Sequence, residues 1–349
     1  MKTTELDYIY PESLVATEPQ KQLRVLVRSL SPRNGSVPDG KITEPVEQNK
    51  AQLFDHFRKG DVLVVNDTKV ERRRVTTQSG LEILFLSSNA QKTEGQVLCA
   101  ARDLKDGQKI AMPGSVTAEL VARGLPQTLR LDRALDPAYF TEHGELALPP
   151  YIQKARGERK NRPDEEKWYQ TDWARATGSQ AAPTASLHFT KSDLMQLNAR
   201  GVIVAPLTLH VGMGTFLPIK TDDLSEHKMH SEYVSIPSAT VEQIIESKRA
   251  GHKVWALGTT VTRSLESWAQ GLLTEGFTGT AGETTLFIKP GYKFEVVDCL
   301  LTNFHQPRST LLALVSAFAG RETVLNSYQW AIAHNFKLFS YGDLTAWIK

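Results

Sequence analysis

The chain has 349 residues, and its 41 basic residues nearly balance 39 acidic ones, leaving a formal net charge of +2. The length suits one large domain or two ordinary ones with an ample core, while the charge balance excludes a globally polycationic nucleic-acid binder and leaves room only for a local basic patch. Met1 to Glu5 lacks the apolar run of a signal peptide and no apolar stretch is long enough to span a bilayer, so a soluble cytoplasmic protein without a membrane partner is expected.

In chain order, Arg24 to Val27 reads as a strand, and the Pro-, Gly-, Asn- and Asp-rich stretch from Ser31 to Lys50 as a long hairpin loop. Ala51 to Arg58 carries Leu53, Phe54 and Phe57 on one helical face, with Gly60 to end it. Asp61 to Val65 is a nearly continuous apolar run, as in a strand buried on both faces. It delivers Asn66-Asp67-Thr68-Lys69 at its carboxyl end, where open α/β sheets often place function; a turn capped by Asn and Asp explains the same residues. Short β-rich runs follow from 71 to 148: Leu81 to Leu86, Gln96 to Ala101, Lys109 to Met112, Val116 to Val121 and Thr128 to Leu131. Such evenly spaced short strands predict a small antiparallel barrel or sandwich. Cys99 and Cys299 are too few for a disulfide framework and lack metal-ligand spacing, so both read as small core residues.

Leu148-Pro149-Pro150-Tyr151 reads as an extended linker leaving that domain. Lys154, Arg156, Arg159, Lys160 and Arg162 then form a basic cluster ahead of the acidic Asp164-Glu165-Glu166. The cluster is either a solvated loop or, with Trp168, Tyr169 and Trp173 nearby for base stacking, a flexible contact to a nucleic-acid backbone. From residue 190 helices and strands alternate. Thr190 to Asp193 opens a helix to about Ala199, Val202 to Leu209 is a strand, Ser238 begins a helix striped by Val241, Ile244, Ile245 and Lys248, and Lys253 to Leu257 is a strand. That strand runs into Gly258-Thr259-Thr260-Val261-Thr262-Arg263 at a helix start. This geometry aims backbone N–H groups at an anion, or is an ordinary turn with threonine caps. Thr285 to Ile288 and Lys293 to Val297 read as strands, and a Ser309-capped apolar helix ends at Gly320. Glu322 to Asn335 reads as a helix and Phe336 to Phe339 as a strand with Ser340-Tyr341-Gly342-Asp343 at its carboxyl end. The expected fold class is α/β: a mixed-sheet α/β catalytic domain from 1–70 and 149–349, with a smaller antiparallel β-barrel domain, 71–148, inserted in it.

The window from Gly178 to Tyr233 holds four of the nine histidines, together with Gly212, Gly214 and a row of small hydroxyl residues. Core strands want Val, Ile and Leu, and surface loops want charge. This mixture reads instead as backbone and side chains converging on a polar ligand.

With Asn66-Asp67-Thr68, the segments Ala181 to Ala185, Leu187-His188-Phe189, Leu209 to Phe216 and His227 to Glu232 resemble the S-adenosylmethionine:tRNA ribosyltransferase-isomerase family. Gly258-Thr259-Thr260, Pro290-Gly291-Tyr292, Leu301 to His305 and Ser340 to Asp343 continue the resemblance, which covers nearly the whole chain in order and spacing. It implies transfer and isomerisation of the ribosyl part of S-adenosylmethionine onto a 7-aminomethyl-7-deazaguanine base in the wobble position of tRNA. The product is epoxyqueuosine, with adenine and methionine released. It implies as well an α/β domain with a smaller β-barrel domain. Several positions depart from the family's pattern. Gln20 to Val25 stands where Arg-Asp-x-Ser-Arg-Leu is usual, Glu71-Arg72-Arg73-Arg74 where the chain usually runs toward Ile-Pro-Ala-Arg, Ser186 replaces a glycine and Gln306 a leucine. The Ser31 to Lys50 loop is longer than usual.

That chemistry needs a base near the acidic C5′ hydrogens beside the sulfonium, help for the leaving adenine, an acceptor for the aminomethyl proton, and exclusion of water. His188, His210 and His230 are the candidates for proton transfer. Gly212 and Gly214 let the backbone approach a ligand closely. Thr259, Thr260 and Arg263 suit the methionine carboxylate or a tRNA phosphate. Asn303 and His305 suit the edge of adenine or the deazaguanine, and Asp67 and Asp343 would balance the sulfonium or the aminomethyl cation. Thr184 and Thr215 join the S-adenosylmethionine- and base-binding set. Arg72, Arg73 and Arg74 with Lys154, Arg156, Arg159, Lys160 and Arg162 are the expected tRNA contacts. No metal and no permanently bound cofactor is expected, S-adenosylmethionine is a co-substrate, and the chain is expected to act as a monomer.

Three other readings compete. A metal-dependent hydrolase would use His210, His227, His230 and Glu232, yet no His-Glu-x-x-His motif is present. A non-catalytic RNA-binding protein does not need the histidine motifs. A methyltransferase would use the same co-substrate, but no Gly-x-Gly-x-Gly turn follows an early strand.

Overall fold

The computed structural model describes residues 1–30, 44–88, 91–100, 104–212 and 219–349. Most of the expected Ser31 to Lys50 loop, and Gly214 and Thr215 of the expected site, lie outside the described residues.

The apolar runs form a ten-stranded mixed sheet. Its centre is four parallel strands in the order Ile203–Leu209, Val62–Asn66, Val254–Leu257 and Cys299–Asn303. Val62–Asn66 is buried at every position, as the unbroken apolar run Val62 to Val65 requires of a strand covered on both faces, with polar Asn66 buried at its end. Val62 and Val64 face one core with the Ser238–Arg249, Thr259–Ala269, Thr310–Ala319 and Arg321–Ala333 helices. Leu63 and Val65 face the other with Leu53, Phe54, Leu194 and Leu197. The period-two alternation of a strand thus divides one sequence between two helical layers.

The flanks are antiparallel. Glu232–Pro237, Gly279–Thr284 and Thr274–Gly276 extend one side. On the other, Leu344–Ile348 pairs antiparallel with Cys299–Asn303 and parallel with Arg24–Ser29, and Val46–Asn49 closes the edge. Three expected strands are absent: Thr285 to Ile288, Lys293 to Val297 and Phe336 to Phe339 are irregular, apart from one isolated bridge at Leu338. Their apolar residues, including Ile288, Phe336 and Phe339, are buried anchors of connecting segments. Asp343 therefore precedes the last strand rather than ending one. Its carboxylate accepts the N–H groups of Arg24 (3.1 Å) and Lys337 (2.7 Å).

A separate seven-stranded antiparallel sheet spans Arg74 to Glu145, curled into a half-barrel whose ladder runs between two edge strands. It has its own apolar core, including Val75, Phe85, Val97, Leu129 and Phe140. The segment after it differs from the expected extended linker and loop: Pro150–Arg156 is a helix, with proline at its first turn and left-handed Gly157 at its end.

Candidate functional site

The four central strands end on the same edge, as parallel strands must, and that edge collects the polar motifs. Asn66, fully buried, stitches two of the ends together. Its amide donates to the Leu209 carbonyl (3.0 Å), and its carbonyl oxygen accepts the N–H groups of Leu209 and Thr68 (both 3.1 Å). Above this edge lies a cavity of about 370 Å³, within the range of small-molecule sites. Of the expected residues, Thr184, His230, Thr259, Thr260, Arg263, Asn303 and His305 line it.

One wall is a neutral hydrogen-bonded chain. Thr184 Oγ1 donates to Asn303 Oδ1 (2.9 Å), and Asn303 Nδ2 donates to His188 Nε2 (2.8 Å). Burial, aided by Lys50, holds the His188 pKa down at about 4, so its Nε2 accepts at neutral pH. His188 itself is set behind Asn303 and does not border the cavity. His305 bonds Thr302 through Nε2 (2.9 Å), its carbonyl accepts the Tyr8 hydroxyl (2.6 Å), and burial lowers its pKa to about 3.

The opposite wall is charged. The Thr259–Ala269 helix starts at Gly258, whose φ of +101° favours glycine, and has no side-chain cap. Arg263, on its second turn, pairs with Glu232, and Glu232 Oε1 accepts the Gly212 N–H (2.8 Å). Gly212 thereby adjoins the wall without lining the cavity. Glu232 is the lining residue that sequence reasoning weighed only as a metal ligand. The signal was available in the His227 to Glu232 motif, but its partner lies 31 residues downstream. Tyr151, Phe287 and Arg308 also line the cavity unforeseen, as does Tyr169, expected only as a base-stacking aromatic.

His210 and Asp67 end their strands elsewhere on the edge. His210 Nδ1 meets Thr68 Oγ1 (2.8 Å), its ring stacks on Tyr233, and burial lowers its pKa against the opposing pull of Asp67 and Glu71. Asp67 is committed to Arg175 Nε and Thr208 Oγ1, both at 2.5 Å. Neither residue, nor Asp343, lines the cavity.

The basic residues divide into two kinds. Arg74 is buried and donates to the Arg159 carbonyl, Glu145 and Asn161. Arg156 forms a buried ion pair with Glu165 and donates to the Thr17 carbonyl (2.8 Å). Lys154, Arg159 and Lys160 are exposed, Lys154 pairing with Glu12. Arg72 pairs with Glu166, Arg73 with Glu71, and Arg162 reaches Glu18 and Glu158. Among the described residues no group of three or more His, Cys, Asp or Glu is placed to hold a metal ion, and no helix is long and apolar enough to cross a membrane.

A model of the queuosine biosynthesis protein family matches residues 3–346. Relatives named S-adenosylmethionine:tRNA ribosyltransferase-isomerase include those of Syntrophotalea carbinolica, 41% identical over 98% of both chains, and Geotalea uraniireducens, 39% identical over 98% of both. The protein of that name from Staphylococcus aureus strain Newman is 38% identical with the same coverage. A crystal structure of S-adenosylmethionine tRNA ribosyltransferase from Thermotoga maritima superposes with a TM-score of 0.54, at 27% identity, covering 99% of this chain and 100% of that one. Family match, full-length relatives and fold agree: the chain belongs to the queuosine biosynthesis family of S-adenosylmethionine:tRNA ribosyltransferase-isomerases.

Proposed function

We propose that the chain transfers the ribosyl part of S-adenosylmethionine to 7-aminomethyl-7-deazaguanine in the wobble position of tRNA. It isomerises that group to the epoxycyclopentanediol of epoxyqueuosine and releases adenine and methionine. The observation that carries the reading is the convergence of Thr184, His230, Thr259, Thr260, Arg263, Asn303 and His305 on one cavity at the carboxyl edge of the parallel strands. A recessed, partly apolar site of this kind limits the access of water to a ylide or unsaturated sugar.

We retain His188, His210 and His230 as the proton-transfer residues and place His230 first, as the one of the three that lines the cavity. Its ring borders the cavity and has no hydrogen-bond partner among the described residues, which leaves both nitrogens for substrate. His188 acts through Asn303, holding the amide so that it presents a fixed face to a base. Lys154, Arg159, Lys160 and Arg162 with Arg72 and Arg73 form the tRNA contact surface. Arg74 and Arg156 support it from beneath. The half-barrel is an inserted domain, 71–148, within an α/β domain of 1–70 and 149–349. The enzyme acts in the cytoplasm as a monomer, with S-adenosylmethionine as co-substrate and no resident cofactor.

The test is one incubation of the protein with S-adenosylmethionine and tRNA carrying the aminomethyl-deazaguanine base. Adenine release with a nucleoside of epoxyqueuosine mass is expected. A methylated nucleoside without adenine would overturn the reaction, and bound tRNA with neither product would overturn catalysis.

A further inference from the structure

The charged wall holds two groups that proton transfer does not use. Arg263 and Glu232 are 9% and 6% exposed, and both border the cavity. Glu232 is the one hydrogen-bond partner of the Arg263 guanidinium among the described residues, and the buried Arg263 Nε has none. A single carboxylate satisfies only part of the five-donor guanidinium fork, so an arginine that borders a cavity has donors left for a second acceptor there. One turn earlier on the same helix, Thr259 and Thr260 border the cavity at an uncapped N-terminus, where backbone N–H groups and the helix dipole favour an anion. Glu232 is the one carboxylate in the described lining, and the Gly212 N–H on its Oε1 fixes its direction.

An anion site with a fixed carboxylate beside it matches a ligand group that carries both charges on neighbouring atoms. We propose that this wall binds the amino-acid end of S-adenosylmethionine: Arg263 with the Thr259 and Thr260 N–H groups takes the α-carboxylate, and Glu232 takes the α-ammonium. The inference rests on the proposed role of S-adenosylmethionine as co-substrate. A tRNA phosphate fits this wall less well. It offers no cation to Glu232, so that carboxylate's charge would face the phosphate uncompensated.

The test compares S-adenosylmethionine with its decarboxylated analogue as co-substrate, reading adenine release with the aminomethyl-deazaguanine tRNA. In the native chain kcat/KM should fall on the order of 100-fold for the analogue, mostly through KM, as expected when a charge-assisted hydrogen bond is removed. Arg263→Lys should keep part of the preference. The double variant Glu232→Gln with Arg263→Met removes both charges, so no lone buried ion remains to unfold the chain. It should use the two co-substrates equally poorly, with folding checked by urea denaturation. Equal kcat/KM for both in the native chain, or a double variant that still discriminates, overturns the inference alone. Adenine from neither overturns the proposed function beneath it as well.

Discussion

Two buried arginine–glutamate pairs anchor different regions of this molecule. Arg156 and Glu165 have side chains 3% and 0% exposed and lie in the segment that follows the half-barrel. Arg156 also donates to the Thr17 carbonyl, and Glu165 accepts the Arg162 N–H, so the pair ties a basic surface segment to the N-terminal region. Arg263 and Glu232 are nearly as buried, but they face the cavity at an uncapped helix start. In both pairs the arginine Nε has no partner, so burial and an orphaned donor alone do not mark function. What separates them is the neighbourhood: one pair is surrounded by structure, the other borders empty space at the carboxyl edge of a parallel sheet. Stability should therefore live with the first pair and co-substrate use with the second.

The largest effect expected on the cavity side is from His230→Ala. It should lower adenine release roughly 1,000-fold, within the range for a general base, while urea denaturation shows little change. An unchanged turnover rate would remove His230 from the chemistry. On the other side, Arg156→Met leaves a fully buried carboxylate without its ion partner. A loss of roughly 3–5 kcal/mol is expected, with turnover per folded molecule retained at saturating tRNA. A smaller loss on adding Glu165→Gln would confirm that the lone charge is responsible.

A third effect, read by pH, belongs to the buried histidines of the cavity region. Burial depresses His305 to about 3 and His188 to about 4, against an ordinary value of 6.5. The unfolded chain then takes up protons first as the pH falls, so stability is complete above about pH 6.5 and drains away toward pH 4 and below. For His305 the full loss is roughly 5 kcal/mol. His305→Gln should flatten the fall of Tm between pH 6 and 4; an unaltered slope would mean the histidine is not the coupled group. The smallest effect belongs to the surface. Replacing Lys154, Arg159 and Lys160 by alanine should weaken tRNA binding and reduce its salt slope by roughly one for each phosphate no longer neutralised. Unchanged affinity and slope would move the tRNA surface elsewhere.

How far the sequence could be read follows from the range of each interaction. The parallel strands were legible because Val62 to Val65 and Val254–Leu257 are apolar at every step. The helix of Thr310–Ala319 was legible because Ser309 caps it locally. Leu344–Ile348 was missed because Phe336 to Phe339, equally apolar, stood just before it and took the assignment. Asp67 and Asp343 looked like counterions for a cationic substrate. Their actual partners, Arg175 and the Arg24 and Lys337 backbones, lie 6 to 319 residues away in the chain. The same blindness hid the pairing of Glu232 with Arg263, and of Arg156 with Glu165 in what read as a solvated loop. Motifs located the cavity's edge; only the fold could say which charges reach it.

The most direct test sets the two pairs against each other in matched variants, Glu232→Gln with Arg263→Met and Arg156→Met with Glu165→Gln. Adenine release is measured per folded molecule at saturating tRNA and sub-saturating S-adenosylmethionine. A loss on the order of 100-fold is expected in the first variant and near-native release in the second. Equal losses in both, or a loss confined to the second, would contradict the placement of co-substrate binding at the Glu232–Arg263 wall.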